Sequence, residues 1–520
     1  MVLSTFSSII EGETSLFRWI QANSSDGSLS DEKQCELPDL ESKNLSWPTL
    51  DKINVISGML DGVIGAEADD AEESAKRLYD HFENFLDDNN EDIDIKLGRL
   101  YGFLIEHSTI TYIDSFIDLL AQNQSNKELL NTCIKIAMIF ASEGIHREAV
   151  KFGIAIMGLF NLSDDDLELF MTLGLADEFS KFISLALVRA ELNENIFTLA
   201  KATHGWGRVN YIDRLEPTTD EIKSWLIYEG YKCDIGINHV ALECVTKGDL
   251  LGHIKKNGWS EELFDATAQL LNGLIDPGPT DGIDGYEDSK EVLELFIEES
   301  RHQNMDLDRF YPLCEIFFYI KDYYENEGWC KEEKESLVQK IGDTAWRKGI
   351  DWESIIFEDV SNYKARTIAK AMGIDIWDKL FELAQNDEEF DNWYALTQTD
   401  EPAKYKKVCE LAEQKLPLAK IATGPKDELG LGREFNPHMN LTMIVQRLNS
   451  FEEIMGVELV KTALNSPVTN NRNMALRVVE SWKEVPREVI EILRKNRDIE
   501  PYKDAIQKYD ALLRKSESAR

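Results

Sequence analysis

The stretch from Thr203 to Gly230, THGWGRVNYIDRLEPTTDEIKSWLIYEG, constrains the fold more than any other part of the chain. It reads as two short helices folded back on each other. Val209, Ile212 and Leu215 recur at one-turn spacing, Glu216-Pro217-Thr218 breaks the pattern, and Ile222, Trp225 and Leu226 open a second apolar stripe after the capping residue Thr219. Neither helix can hide its stripe alone. A unit of this kind needs stacked neighbours, so the stretch predicts an all-α chain built as an α-solenoid of antiparallel helix pairs.

A second copy of the design stands near the end of the chain. Sliding by 267 residues without a gap puts Val209 on Leu476, Ile212 on Val479, Leu215 on Trp482, Ile222 on Val489, Trp225 on Ile492 and Leu226 on Leu493. Asp213 falls on Glu480 and Glu221 on Glu488. Agreement across two helices and their turn predicts an internal repeat.

Outside these copies, helical patterning spaces further segments at about 96–107, 109–122, 126–143, 146–160, 164–173 and 176–193, then 288–303, 309–327, 332–347, 361–372, 376–389 and 401–415. In 70–86 the stripe is Ala75, Leu78, Tyr79, Phe82 and Phe85. Ser163 reads as a helix start, and Gly144, Gly230 and Gly258 as helix stops. These signals divide the chain into an N-terminal arm (1–45), a helical-repeat region (46–275), a Pro/Gly/Asp loop or seam (276–287), a second helical region (288–422) and C-terminal helix pairs (423–520).

Charge narrows the partners. Residues 401–520 hold 21 Lys and Arg against 18 Asp and Glu, leaving 35 against 78 in residues 1–400, so the net charge of −40 comes from the first three quarters. A field of that sign repels phosphate backbones and anionic lipid. It disfavours nucleic acid and membrane surfaces and favours a basic protein or peptide partner. Seven scattered cysteines without a CxxC pair fit a reducing cytoplasm, and no run of about 20 apolar residues marks a membrane span.

The units ALRVVESW…EVIEIL and GRVNYIDRL…DEIKSWL resemble HEAT-type repeats. The wording THGWGRV-x-x-x-DRL, with LNSPV-x-x-NRNMALRV, is similar to a group of bacterial HEAT-like proteins, some labelled limonene hydroxylase. The likeness covers most of the chain after Leu37. It implies an all-α repeat fold and, through the label, a monooxygenase acting on a monoterpene. HEAT-like DNA-repair proteins add nucleic-acid binding as a further alternative, against which the charge argues.

The residues offer little support for oxygen chemistry. Cys409 lies in an apparent helix beside Leu411, as a core cysteine would, and Gly430-Leu431-Gly432 has neither a preceding strand nor a third glycine. Two Glu-x-x-His tetrads, Glu143 with His146 and Glu299 with His302, have the spacing of di-iron helices, but in so acidic a chain they are expected by chance, and Gly144 breaks the first. No cofactor is therefore predicted. Surface candidates for a partner are Trp206, Arg208, Asn210 and Arg214 on a polar ridge, and Arg433, His438, Arg472 and Asn473 at the turns of the last block. There Asn470 to Asn473 would open a helix whose free N–H groups could take an anion with Arg472 assisting.

Overall fold

The computed structural model describes residues 13–41, 58, 61, 70–86, 92–275, 278, 280–322, 330–345 and 350–518. Residues 88–91 of the acidic run Asp88 to Asp92, whose side chains supply oxygens but lack the spacing of a calcium loop, lie outside them. The described residues form helices joined by turns and loops, and the only extended pairings among them are two isolated bridges, Ser25 with Ser28 and Glu428 with Val468. None of their helices is long and apolar enough to cross a membrane. The chain forms two compact units, one ending at Trp346 and the other beginning at Arg347.

The first unit opens with α1 (Leu16–Asn23), α2 (Ala71–Leu86), α3 (Ile93–Glu106), α4 (Thr109–Gln122), α5 (Lys127–Glu143) and α6 (Arg147–Met157). It continues with α7 (Asp164–Leu173), α8 (Ser180–Arg189), α9 (Asn193–Ala202), α10 (Trp206–Arg214) and α11 (Asp220–Trp225), and ends with longer helices such as Glu261–Ile275 and Leu307–Asp322. Each boundary has a local cause. Ser163 closes a capping box with Asp166 at the start of α7, Asn126 caps α5, and Gly144 and Gly258 end the helices before them. Ala75, Leu78 and Phe82 form the buried face of α2, with Tyr79 and Phe85 at its margin.

Packing follows chain order. α5 lies on α6 and α9 on α10, while α2 meets α4, α6 meets α8, and α8 meets α10. Phe82, Phe116, Phe140 and Phe152 join α2, α4, α5 and α6 in one aromatic core with ring centroids 5.8 to 6.5 Å apart.

The second unit contains α12 (Pro402–Lys415), α13 (Asn436–Arg447), α14 (Val457–Leu464), α15 (Thr469–Ser481), α16 (Arg487–Arg497) and α17 (Lys503–Ser518). Its core gathers Tyr405, Cys409, Leu441, Leu459, Leu476, Val479, Trp482, Val489, Leu493 and Tyr509. Cys409 is thus a core residue whose thiol burial pushes up to about 12, which leaves it unreactive. A short helix at Trp352–Glu358 was not legible in the pattern, because its seven residues make fewer than two full turns of stripe.

Candidate interaction surfaces and the buried polar clusters beneath them

The turn His204-Gly205-Trp206-Gly207-Arg208 is organised by a carboxylate thirty residues earlier in the chain. Asp177, just ahead of α8, accepts the Gly207 N–H at 3.0 Å and also the N–H of Trp206, so it caps the start of α10. A Cβ on Gly205 would stand 2.2 Å from Asp177 Oδ2, and one on Gly207 would stand 2.6 Å from Oδ1. Both glycines are therefore required by the approach of that carboxylate. Gln34 of the N-terminal arm completes the site, accepting the Asp177 N–H at 2.9 Å and donating to Leu175 O at 2.8 Å. Burial, with Asp31 and Glu178 adding to it, pushes Asp177 up to about 7 despite the N–H donors that favour its charge.

Arg208 does not form an exposed ridge. Its guanidinium is buried and donates to Thr203 O at 2.7 Å, Ala200 O at 3.3 Å, Glu229 O at 3.3 Å and Lys232 O, with Trp225 stacked at 5.6 Å. These carbonyls belong to the end of α9 and to the turn after α11, where helices leave their last C=O groups without partners. One cation thus ties two helix C-termini, each carrying partial negative charge, although burial still lowers its own pKa. Asn210 is buried as well and donates to Ser180 Oγ at 2.9 Å. Trp206 packs against His239 at 5.1 Å, and Arg214 pairs with its neighbour Asp213 at 2.6 Å. The ridge expectation therefore fails for Arg208 and Asn210, because each has internal polar partners that an outward side chain would leave bare.

A denser cluster lies along α6. Lys151 Nζ is buried within 2.6 Å of Asp61, 2.7 Å of Glu178 and 3.1 Å of Glu148. Arg147 grips Asp39 of the arm at 2.8 Å and Glu178 at 2.8 Å. Burial works to raise Glu178, but Lys151 and Arg147 hold it well below the usual carboxylate range. Asp61 is pushed by burial up to about 6, since two cations cannot fully offset four acids. No sequence signal points to this cluster, because its members are spread from Asp39 to Glu178 and each is a common charged residue.

In the second unit the structure brings His438 and Arg472 together through Ser466. His438 Nδ1 lies 3.0 Å from Ser466 Oγ, and Arg472 Nη1 donates to Ser466 O and Pro467 O, both at 2.9 Å. Arg472 is fully buried against Glu500, with Nε and Nη2 at 2.7 and 2.6 Å from its two oxygens. The expectation that Arg472 would assist an exogenous anion is therefore corrected: the bidentate carboxylate already occupies its fork. Asn473 is half-buried, and Arg433 is exposed.

Three of the tetrad residues are likewise engaged, and His302 is exposed. Glu143 pairs with Arg18 at 3.0 Å, His146 caps α6 by accepting the Glu148 N–H, and Glu299 accepts from Gln303 at 2.6 Å. No group of three or more His, Cys, Asp or Glu side chains placed to hold a metal occurs among the described residues.

What faces outward is apolar in places. Leu429 and Leu431 are 56% and 54% exposed on the loop stapled to Val468, with Met439 exposed on α13; Ile499 and Tyr502 are 53% and 43% exposed between α16 and α17. No protein-family model, curated protein or solved structure matches the chain.

Proposed function

We propose that this chain is a helical-repeat scaffold, an α-solenoid of HEAT-like antiparallel helix pairs, that holds a protein or peptide partner without catalysing a reaction. The observation that carries the reading is the contrast between interior and surface. Side chains able to do chemistry, such as Arg208, Arg472, Lys151 and Asp177, face inward and are bonded there, while large apolar side chains at Leu429, Leu431, Ile499 and Tyr502 are left to solvent. Packing of several helices on the next one, and of α2 on α4, α6 on α8 and α8 on α10, supports the repeat arrangement. The hydroxylase reading would need Glu143, His146 and Glu299 to leave their present partners.

The test is lysine cross-linking of the intact chain in lysate, read by mass spectrometry. A scaffold yields reproducible cross-links to another protein from Lys426 or from the lysines of residues 495–508, next to the exposed apolar groups. Cross-links confined to the chain itself would sink the reading.

A further inference from the structure

The turn between α16 and α17 is held in shape from within. Glu500 points inward onto Arg472, and its Oε1 also accepts the Tyr502 N–H at 3.2 Å, while the Ile499 N–H donates to Asn496 O at 3.1 Å. With Glu500 locked inside, its neighbours Ile499 and Tyr502 are presented outward on a turn that has little freedom to fold them back. An apolar pair fixed in this way loses little entropy on binding, which is what an anchor residue needs.

The surroundings of this pair are cationic, in a chain that is otherwise acidic. Lys495 on the last turn of α16 and Lys503 and Lys508 on α17 are exposed and make no salt bridge among the described residues. Arg497 pairs with Asp510 and Asp498 at 2.9 and 3.2 Å, and with Glu500 answered by Arg472 the cations Lys495, Arg497, Lys503 and Lys508 outnumber the acids Asp498, Asp504 and Asp510 by one.

We infer that the α16–α17 turn is a docking site for an acidic protein segment carrying apolar side chains, which seat on Ile499 and Tyr502 while its carboxylates meet Lys495, Lys503 and Lys508. The charge of the site selects acids and its apolar pair selects side chains that a phosphate backbone does not offer. The inference rests on the scaffold reading and narrows it to one surface and one partner chemistry.

The experiment uses the full chain and a fluorescein-labelled peptide of alternating Glu and Leu, with a Lys/Leu peptide and an oligothymidylate as competing probes, followed by anisotropy. Binding of the Glu/Leu peptide is expected, weakening about tenfold or more in Ile499→Ser/Tyr502→Ser. In Lys495→Glu/Lys503→Glu the preference is expected to reverse toward the Lys/Leu peptide. All four substitutions are at exposed positions, and unchanged thermal unfolding of the variants confirms an intact fold. Equal binding by wild type and both variants, or preference for the oligothymidylate, overturns the inference. In lysate, partner cross-links found only at Lys426 also overturn it while leaving the scaffold reading in place; the absence of any partner cross-link overturns both.

Discussion

Arg208 in the first unit and Arg472 in the second hold equivalent places in their helix pairs, yet they are neutralised by different means. Each lies in the first turn of the first helix of its pair, reaches back to carbonyls at the end of the preceding helix (Arg208) or in the loop just past it (Arg472), and reaches forward to the turn that follows the second helix. Arg472 meets a full carboxylate there, whereas Arg208 meets only carbonyl dipoles. One clamp is closed by a formal charge and the other by helix ends. The geometry is shared, and the chemistry that completes it can vary.

The starts of the two helices differ as well. Asp177 caps α10, while α15 begins at Thr469 after Val468 without a side-chain cap, and Ser466 Oγ accepts the Val468 N–H at 3.1 Å instead. A carboxyl that keeps its proton to about 7 therefore stands at the start of α10, where a serine hydroxyl stands before α15.

These contrasts set the order of effects. Arg472→Met leaves Glu500 buried without a counter-charge and should lower stability by about 3–5 kcal/mol in urea unfolding; adding Glu500→Leu should recover most of the loss. If the double variant were no better than the single, the buried ion pair would not be the origin. Arg208→Met strands carbonyls but no carboxylate, so a loss of about 2–3 kcal/mol is expected, with no acid whose removal rescues it.

Asp177→Asn separates the units by pH. The folded carboxyl keeps its proton to about 7, well above an unfolded aspartate, so its contribution is fully present at acid pH and fades as pH rises through about 7. From about pH 5.5 to about pH 8 the wild-type first unit should lose about 2 kcal/mol through this group. The asparagine variant should flatten that slope, and α15 should show no such term. A slope that persists in the variant would assign the titration elsewhere, with Asp61 the next group to replace. Smallest of all, Arg214→Ala removes a surface pair between chain neighbours and should change stability by less than about 0.5 kcal/mol.

Much of this architecture is legible in the sequence because periodicity and caps act over a few residues. The stripes at Ile212 and Ile222, the starts at Ser163 and Thr219, and the stops at Gly144 and Gly258 all fall where their local chemistry places them. The clamps are not legible for a physical reason. Arg208 bonds backbone carbonyls, which every residue carries, and the acids that answer Arg472 and cap α10 lie 28 and 30 residues away. An arginine off the apolar stripe therefore reads as a surface ridge when it is a buried cation.

The gapless slide of 267 residues also conceals part of the likeness. It aligns the helix ends Leu215 and Trp482, but Arg208 corresponds to Arg472 at an offset of 264. α10 has 9 residues and α15 has 13, so α15 carries about one more turn between its arginine and its stripe. An alignment that allows no gap matches the stripes and misses the arginines.

The most direct measurement is native-state hydrogen exchange on Arg208→Met and Arg472→Met beside the wild type. If each arginine ties two helix ends together, Arg208→Met should release protection at both Thr203 and the 229–232 turn, and Arg472→Met at both the 464–468 turn and the 498–502 turn. Loss of protection at only one end of either pair would contradict the clamp.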